Sequence, residues 1–358
     1  MWTCFTQELT LNTIILKTHQ KWREHILMLQ LGWKAGPEQY PPTELCDYAV
    51  AAEQAGFDTI DASDHFHPWS EAGQASFTWT WLGATAVRTS RIHLGTGITC
   101  PILRYHPSVI AQAAATVSCF APNRTYLAVG TGEALNEYAA TGEWPGYEER
   151  QERLAEAIDL IRALWKGEQV SFEGKYYKTR KARLYTPPAA PIPLYVSTMT
   201  PNSAAFAGKY GDGLISVGGK QPDMYQQLMK QFEKGAREAG KDPSKMPRLI
   251  ELNVAYADDI QGAIQEQLKY WASTYVPAMY DEKIYSPAMS QENGEVIGAD
   301  VVKKTGCFSP NPDDHVKFIQ QYIDLGFNVL FFHCPGPDQR AFLERYGRDI
   351  LPKVRARG

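Results

Sequence analysis

Ser63-Asp64-His65-Phe66-His67-Pro68-Trp69 follows directly on an apolar run, Phe57-Asp58-Thr59-Ile60-Asp61-Ala62, that Gly56 introduces. The run reads as a short buried strand and the heptapeptide as the loop leaving its carboxyl end. From Asp61 to Trp69, nine residues hold two acids, two histidines and a tryptophan. In parallel α/β proteins, ligands bind at the carboxyl ends of strands. A polar cluster just past a buried strand therefore marks a candidate site. His65 is its proton acceptor, Asp64 orients that base or touches a cofactor, and Trp69 walls the pocket.

The same rhythm runs outward from this stretch. Apolar runs at 28–35, 91–98, 125–129, 194–197, 213–217, 248–257 and 328–333 read as further strands. Helical spacing follows most of them. Leu45, Tyr48, Ala49 and Ala52 lie behind Pro41-Pro42-Thr43, and Leu154, Ile158, Ile161 and Leu164 share one face of 150–165. Eight strands alternating with helices call for a parallel sheet. No G-x-G-x-x-G follows the first strand, which disfavours a dinucleotide-binding open sheet. The expected class is α/β, a (β/α)8 TIM barrel. Two insertions interrupt it: a β-hairpin within about 168–190, and a long loop at 277–311 that could close as a lid. A final helix is expected over 338–356.

Composition narrows the partners. The chain has 358 residues, 21% of them charged, and a net charge of −4, so neither nucleic acid nor an acidic membrane is an expected partner. No run approaches ~18 apolar residues, so no spanning helix is expected. Six scattered cysteines without C-x-x-C read as free thiols in a reducing cytoplasm. Residues 1–27 read as an extension ahead of a single domain at 28–358, with Met28 as an alternative start.

The strand ends supply the chemistry. Glu38, Asp64-His65, Gly97-Ile98, Glu133, Ser197-Thr198, Lys220 and His333 would ring the barrel mouth. His65 can take a proton near neutral pH. Glu133 follows Gly130-Thr131-Gly132, a turn that lets backbone approach a ligand, and Lys220 after Gly218-Gly219 suits a phosphate. No side chain accepts a hydride, so a redox reaction needs a cofactor. Each residue also has a plainer reading. Asp64-His65 can be a helix cap and a surface histidine, Glu133 a partner of Arg104 or Arg124, and Lys220 a solvated lysine. His65-Phe66-His67 also has the H-x-H form of metal-dependent hydrolases, but the remaining histidines do not complete a ligand set, so no metal is expected.

Three stretches carry a resemblance: Ser63 through Trp69, Ile98-Thr99-Cys100-Pro101-Ile102-Leu103-Arg104-Tyr105, and Val129-Gly130-Thr131-Gly132-Glu133-Ala134-Leu135-Asn136-Glu137. Together they resemble the branch of the luciferase-like flavin/deazaflavin oxidoreductase superfamily that uses coenzyme F420, an 8-hydroxy-5-deazaflavin. The similarity runs from about Leu29 to the C-terminus. It implies a bacterial-luciferase-like TIM barrel, a homodimer, and F420 in preference to FMN. It also implies roles. His65 takes the hydroxyl proton while hydride leaves the carbinol carbon for C5 of the deazaflavin. Glu133 protonates the reduced ring, Trp69 packs on the reacting centre, and Glu38 is a second acid there. Asp64, Gly97, Ile98, Cys100, Thr131, Gly132, Asn136, Ser197, Thr198 and Met199 fall at or beside cofactor positions, and Gly97–Ile98 at a non-proline cis peptide.

The substrate follows from the cations. Members acting on glucose-6-phosphate grip the phosphate with two lysines and an arginine. By resemblance Lys220, beside Val217, takes the first position and Lys283 the second, while Lys304 or Thr305 stands where the arginine would be. Thr99-Cys100-Pro101 and Thr141-Gly142-Glu143-Trp144-Pro145 are more similar to members that oxidise secondary alcohols. The anion argument favours oxidation of glucose-6-phosphate, or a related sugar phosphate, to the lactone. The alternatives are a secondary alcohol such as isopropanol and, further off, a flavin-dependent monooxygenase.

Overall fold

The computed structural model describes residues 28–357, so the extension expected at 1–27 lies outside the described residues. The described residues form nine strands: β1 (Gln30–Ala35), β2 (Thr59–Ala62), β3 (His93–Thr96), β4 (Thr125–Val129), β5 (Leu194–Ser197), β6 (Gly213–Val217), β7 (Arg248–Ala255), β8 (Cys307–Phe308) and β9 (Val329–His333). β1 to β7 pair in parallel in chain order, β7 pairs with β9, and β9 closes on β1. This is a closed eight-stranded parallel barrel, as the eight-unit reading expects. The two-residue β8 extends the end of β7 through Val254↔Cys307 and Ala255↔Phe308.

Strand alternation sorts the side chains into two cores. In β4, Tyr126 and Ala128 fill the barrel with Tyr195, Ile215, Leu249, Val329 and Phe331. Leu127 and Val129 of the same strand face outward into the layer under the helices. That layer takes Ile110, Ala114 and Val117 from the helix Pro107–Phe120, and Leu154, Ile158, Ile161 and Leu164 from the helix Tyr147–Trp165. Period 2 has a second effect near the carboxyl ends of the strands. The positions alternating with Leu31, Trp33 and Ile60 of the outer layer are Lys34 and Asp61, so polar side chains enter the barrel just below its mouth.

Three expectations need correction or refinement. The stretch 277–311 is not a loop: it holds the helices Ala278–Asp281, Pro287–Gly294 and Ala299–Thr305. These helices are too short to show a clear period, but Met279 and Ile284 are buried against Trp69, Leu135 and Trp271. The final helix is two, Gln339–Asp349 and Leu351–Arg355, because Pro352 lacks the N–H needed to continue the first and fits the opening turn of the second. The 170–184 stretch folds back through the isolated antiparallel bridges Val170↔Ala182 and Glu173↔Lys178. Among the described residues, no helix is long and apolar enough to cross a membrane, and the described cysteines are all free thiols.

Candidate active site

The loops at the carboxyl ends of the strands enclose a cavity of about 790 Å³, within the usual range for small-molecule sites. All four residues expected to be catalytic line it: Glu38 after β1, His65 and Trp69 after β2, and Glu133 after β4. His65 Nδ1 lies 2.7 Å from Glu38 Oε1. Both groups are largely buried, and the contact is an ion pair whenever the imidazole is protonated. Burial alone would lower the imidazole pKa, but Glu38 and the field of Glu133 outweigh it, and the pKa is raised. The same contact outweighs burial at Glu38 and lowers its pKa. With Nδ1 turned to Glu38, Nε2 is the nitrogen left for a ligand. The Trp69 indole meets the His65 ring edge-on, centroids 5.3 Å apart. The Trp69 carbonyl accepts from Ser290 Oγ at 2.6 Å, which ties the His65–Trp69 loop to the helical roof.

Several expected cofactor residues stand behind the cavity wall instead of in it. Asn136 is buried, and its Oδ1 accepts from the Phe66 and His67 backbone amides at 2.7 and 3.0 Å. Its Nδ2 donates to Glu133 Oε2 at 3.4 Å. One amide thus sets both the His65 loop and Glu133. The Asp64 carboxylate accepts from Thr99 Oγ1 at 2.9 Å and from the Tyr105 hydroxyl at 3.1 Å, with Arg104 3.7 Å away. Thr198 is buried with its hydroxyl 3.0 Å from Ser203 Oγ, and Cys100 is buried beneath Gly132. Gly97, Ile98, Thr131, Gly132, Ser197 and Met199 do line the cavity. The plainer reading of Glu133 does not hold: Arg104 pairs with Glu137 and Asp64, Arg124 bonds to Thr89 and nearby carbonyls, and Glu133 makes no ion pair among the described residues.

One wall of the cavity is bare backbone. The Gly97–Ile98 peptide is cis. A Cβ on Gly97 would overlap Asp61 Oδ2, and Gly132, at φ +72°, has no room for one beside Cys100 Sγ. Only glycine leaves these surfaces flat. Beneath Gly97 lies a charge cluster that the strand-end reading did not include. Lys34 Nζ donates to the Gly97 carbonyl at 2.6 Å and sits 3.0 Å from Glu251 and 3.6 Å from Asp61. Burial opposes the Lys34 charge, yet Asp61 and Glu251 outweigh it and the pKa is raised. Asp61 is fully buried with neither oxygen hydrogen-bonded, and burial pushes its carboxyl up to about 7. A signal was available: Lys34, Asp61, Glu251 and Asn253 interrupt otherwise apolar strand runs at alternating positions.

The cations divide. Lys220 and Val217 line the cavity. Lys220 is half-buried with Met199 Sδ at 3.7 Å, has no carboxylate partner among the described residues, and burial lowers its pKa. The backbone amides beside it are taken: Gly218 N donates to Glu251 O, Gly219 N to the Tyr322 hydroxyl and Lys220 N to the Tyr225 hydroxyl. Lys220 is therefore a point charge without an amide nest. Lys283 is exposed, its Nζ 5.2 Å from the Tyr138 ring centroid, and Lys304 is exposed on its helix; neither reaches the cavity. Arg150 does line it, stacked 3.8 Å over the Trp144 ring. Its place at the start of an amphipathic helix gave no hint of this.

The parallel barrel, its flat glycine wall and the acid–histidine pair at one mouth define an oxidoreductase barrel of the luciferase type. The chain belongs to the luciferase-like monooxygenase family, whose profile matches residues 25–328. It is 43% identical over 334 residues to the F420-dependent glucose-6-phosphate dehydrogenase of Mycolicibacterium gilvum, covering 92% of this chain and 99% of that one. The enzyme of the same description from Gordonia bronchialis is 43% identical over 331 residues, 91% of this chain and 98% of that one. Among solved structures, an F420-dependent secondary alcohol dehydrogenase in complex with an F420-acetone adduct is similar at TM-score 0.87 and 37% identity, over 91% of this chain and 99% of that one.

Proposed function

We propose that the protein is a coenzyme F420-dependent dehydrogenase acting on a CH–OH group, with glucose-6-phosphate or a related sugar phosphate as substrate. The observation that carries this is one cavity holding an acid-supported histidine, a carboxylate across the mouth and a lysine without a counter-ion. The cofactor fits what is present: bare backbone at Gly97–Ile98 and Gly132 suits a flat ring, and Thr131, Ser197 and Met199 continue that side. When bound, a deazaflavin supplies the two-electron acceptor that no side chain provides. His65 takes the substrate hydroxyl proton at Nε2, and Glu38 stabilises the imidazolium that results. Glu133, steadied by Asn136, is the proton donor on the cofactor side. Trp69 and the roof exclude water from the reacting carbon. The same reading includes pairing of two copies in a reducing cytoplasm; Phe66, Phe77 and Val109 are exposed apolar side chains available for an interface. Light scattering checks the mass.

Bleaching of oxidised F420 by glucose-6-phosphate tests the reading directly. The secondary-alcohol alternative is kept by one observation: two of the three cations expected around a phosphate, Lys283 and Lys304, stand outside the cavity. Bleaching with isopropanol alone would decide for it, and oxygen consumption with FMN would point to a monooxygenase.

Two substitutions probe the parts. Lys220→Ala is expected to raise KM for the sugar phosphate about 10–100-fold with kcat changed far less, because a remote anion contact holds substrate and transition state alike. An unchanged KM removes Lys220 from substrate binding. Glu38→Gln removes the contact that raises the His65 pKa. The neutral base then persists to lower pH, and the acid limb of kcat/KM for oxidation should move to lower pH. A limb that stays in place assigns it to another group.

A further inference from the structure

We infer that His333 reads a second hydroxyl of the substrate, one that is not oxidised, so that the cavity selects a polyhydroxylated compound over a simple alcohol. This rests on the dehydrogenase reading above. His333 ends β9 at an inward position, alternating with Phe331 and Val329 of the barrel interior, and it lines the same cavity as His65. Its Nδ1 is 3.0 Å from Asn253 Oδ1, and Asn253 Nδ2 donates to the Tyr275 hydroxyl at 3.1 Å. With the amide so placed, Nδ1 carries the proton and Nε2 keeps its lone pair. Burial disfavours the imidazolium, so the ring stays a neutral acceptor. Trp271 holds it edge-on at 4.4 Å.

Nε2 has no partner among the described residues. A second acceptor stands on the same wall: Gln267 lines the cavity, is 1% exposed, and its Oε1 is unpartnered. Both acceptors call for O–H or N–H donors from whatever occupies the cavity. A secondary alcohol has a single hydroxyl, which His65 takes. A sugar phosphate places its anion at Lys220 and has further hydroxyls to donate. A site built to receive a hydroxyl rejects the analogue that lacks it much more strongly than an apolar pocket rejects an extra one.

The test compares glucose-6-phosphate with its singly deoxygenated analogues, on wild type and His333→Phe, by F420 bleaching and by calorimetric affinity for each compound. Wild type should lose on the order of 10–100-fold in kcat/KM and in affinity for one analogue. His333→Phe should lose a similar factor on the parent sugar and no longer distinguish that analogue. Asn253→Leu keeps the imidazole but frees its tautomer, and should weaken the same discrimination part of the way. Fluorescence titration with F420 reports whether each variant is folded. Wild type indifferent to every deoxygenation, or His333→Phe and Asn253→Leu discriminating as wild type does, overturns the role of His333. Wild type that neither binds nor oxidises any sugar phosphate overturns the reading beneath it as well.

Discussion

His65→Ala is expected to lower kcat for alcohol oxidation by on the order of 10²–10⁴-fold, the usual contribution of a positioned general base, while F420 still binds. The flat Gly97–Ile98 and Gly132 side of the cavity does not depend on His65, so cofactor titration should survive the change. The substitution has a second effect. Glu38 is buried, and the imidazole is what holds its pKa down. Without the ring, burial is opposed only by Lys34 and a backbone hydrogen bond, and the Glu38 pKa rises. His65→Asn, which keeps a polar side chain beside Glu38, separates the two effects: both variants should lose turnover, and the asparagine variant should keep more thermal stability. Stopped-flow bleaching with saturating cofactor makes the measurement. Single-turnover rates close to wild type would take His65 out of proton transfer.

Lys34→Met is the largest stability change expected. It removes the cation that Asp61 and Glu251 share and leaves the fully buried Asp61 without a positive partner among the described residues. Breaking a buried pair in this way costs about 3–5 kcal/mol. At roughly 2–4 °C per kcal/mol in large domains, Tm should fall by on the order of 6–20 °C near pH 8. The pH dependence has a definite sign. The folded-state carboxyl of Asp61 is at about 7, above its unfolded value of about 3.9. Its contribution is therefore fully present below about pH 4 and is lost as pH rises through about 7. The Lys34→Met loss should shrink toward about pH 5, where Asp61 is protonated. Asp61→Asn should flatten the decline between about pH 4 and 7. Calorimetric scans at both ends check this; an equal loss for Lys34→Met at both would mean that Asp61 stays charged.

The barrel was legible because its strands are buried on both faces. Thr125–Val129, Leu194–Ser197 and Gly213–Val217 run as unbroken apolar segments between turn residues, and β4, β5 and β6 end where those segments do. Strand ends also located Glu38, His65, Trp69 and Glu133. What position in the chain does not give is the direction of a side chain once the strand has ended. Asp64 and His65 are neighbours, yet one turns back to Thr99 and Tyr105 while the other enters the cavity. Asn136, expected at or beside the cofactor, braces two loops from behind the cavity wall. Lys283 and Lys304 were placed by resemblance, but the connection that carries Lys283 and the short helix that carries Lys304 present both to solvent. The roof was hidden for a related reason: helices of four to eight residues bury one or two side chains each and leave no period to read.

The tie between Ser290 and the Trp69 carbonyl makes this roof something other than an interchangeable cover. Tyr280 of the same roof lies 6.3 Å from the Trp69 ring, and Trp69 in turn touches the His65 ring. A change in the segment that shapes the far side of the pocket therefore reaches the base through a single indole. Divergence toward a new substrate by rewriting residues 277–305 would alter turnover and affinity together, so the barrel and its roof are bound to change in step.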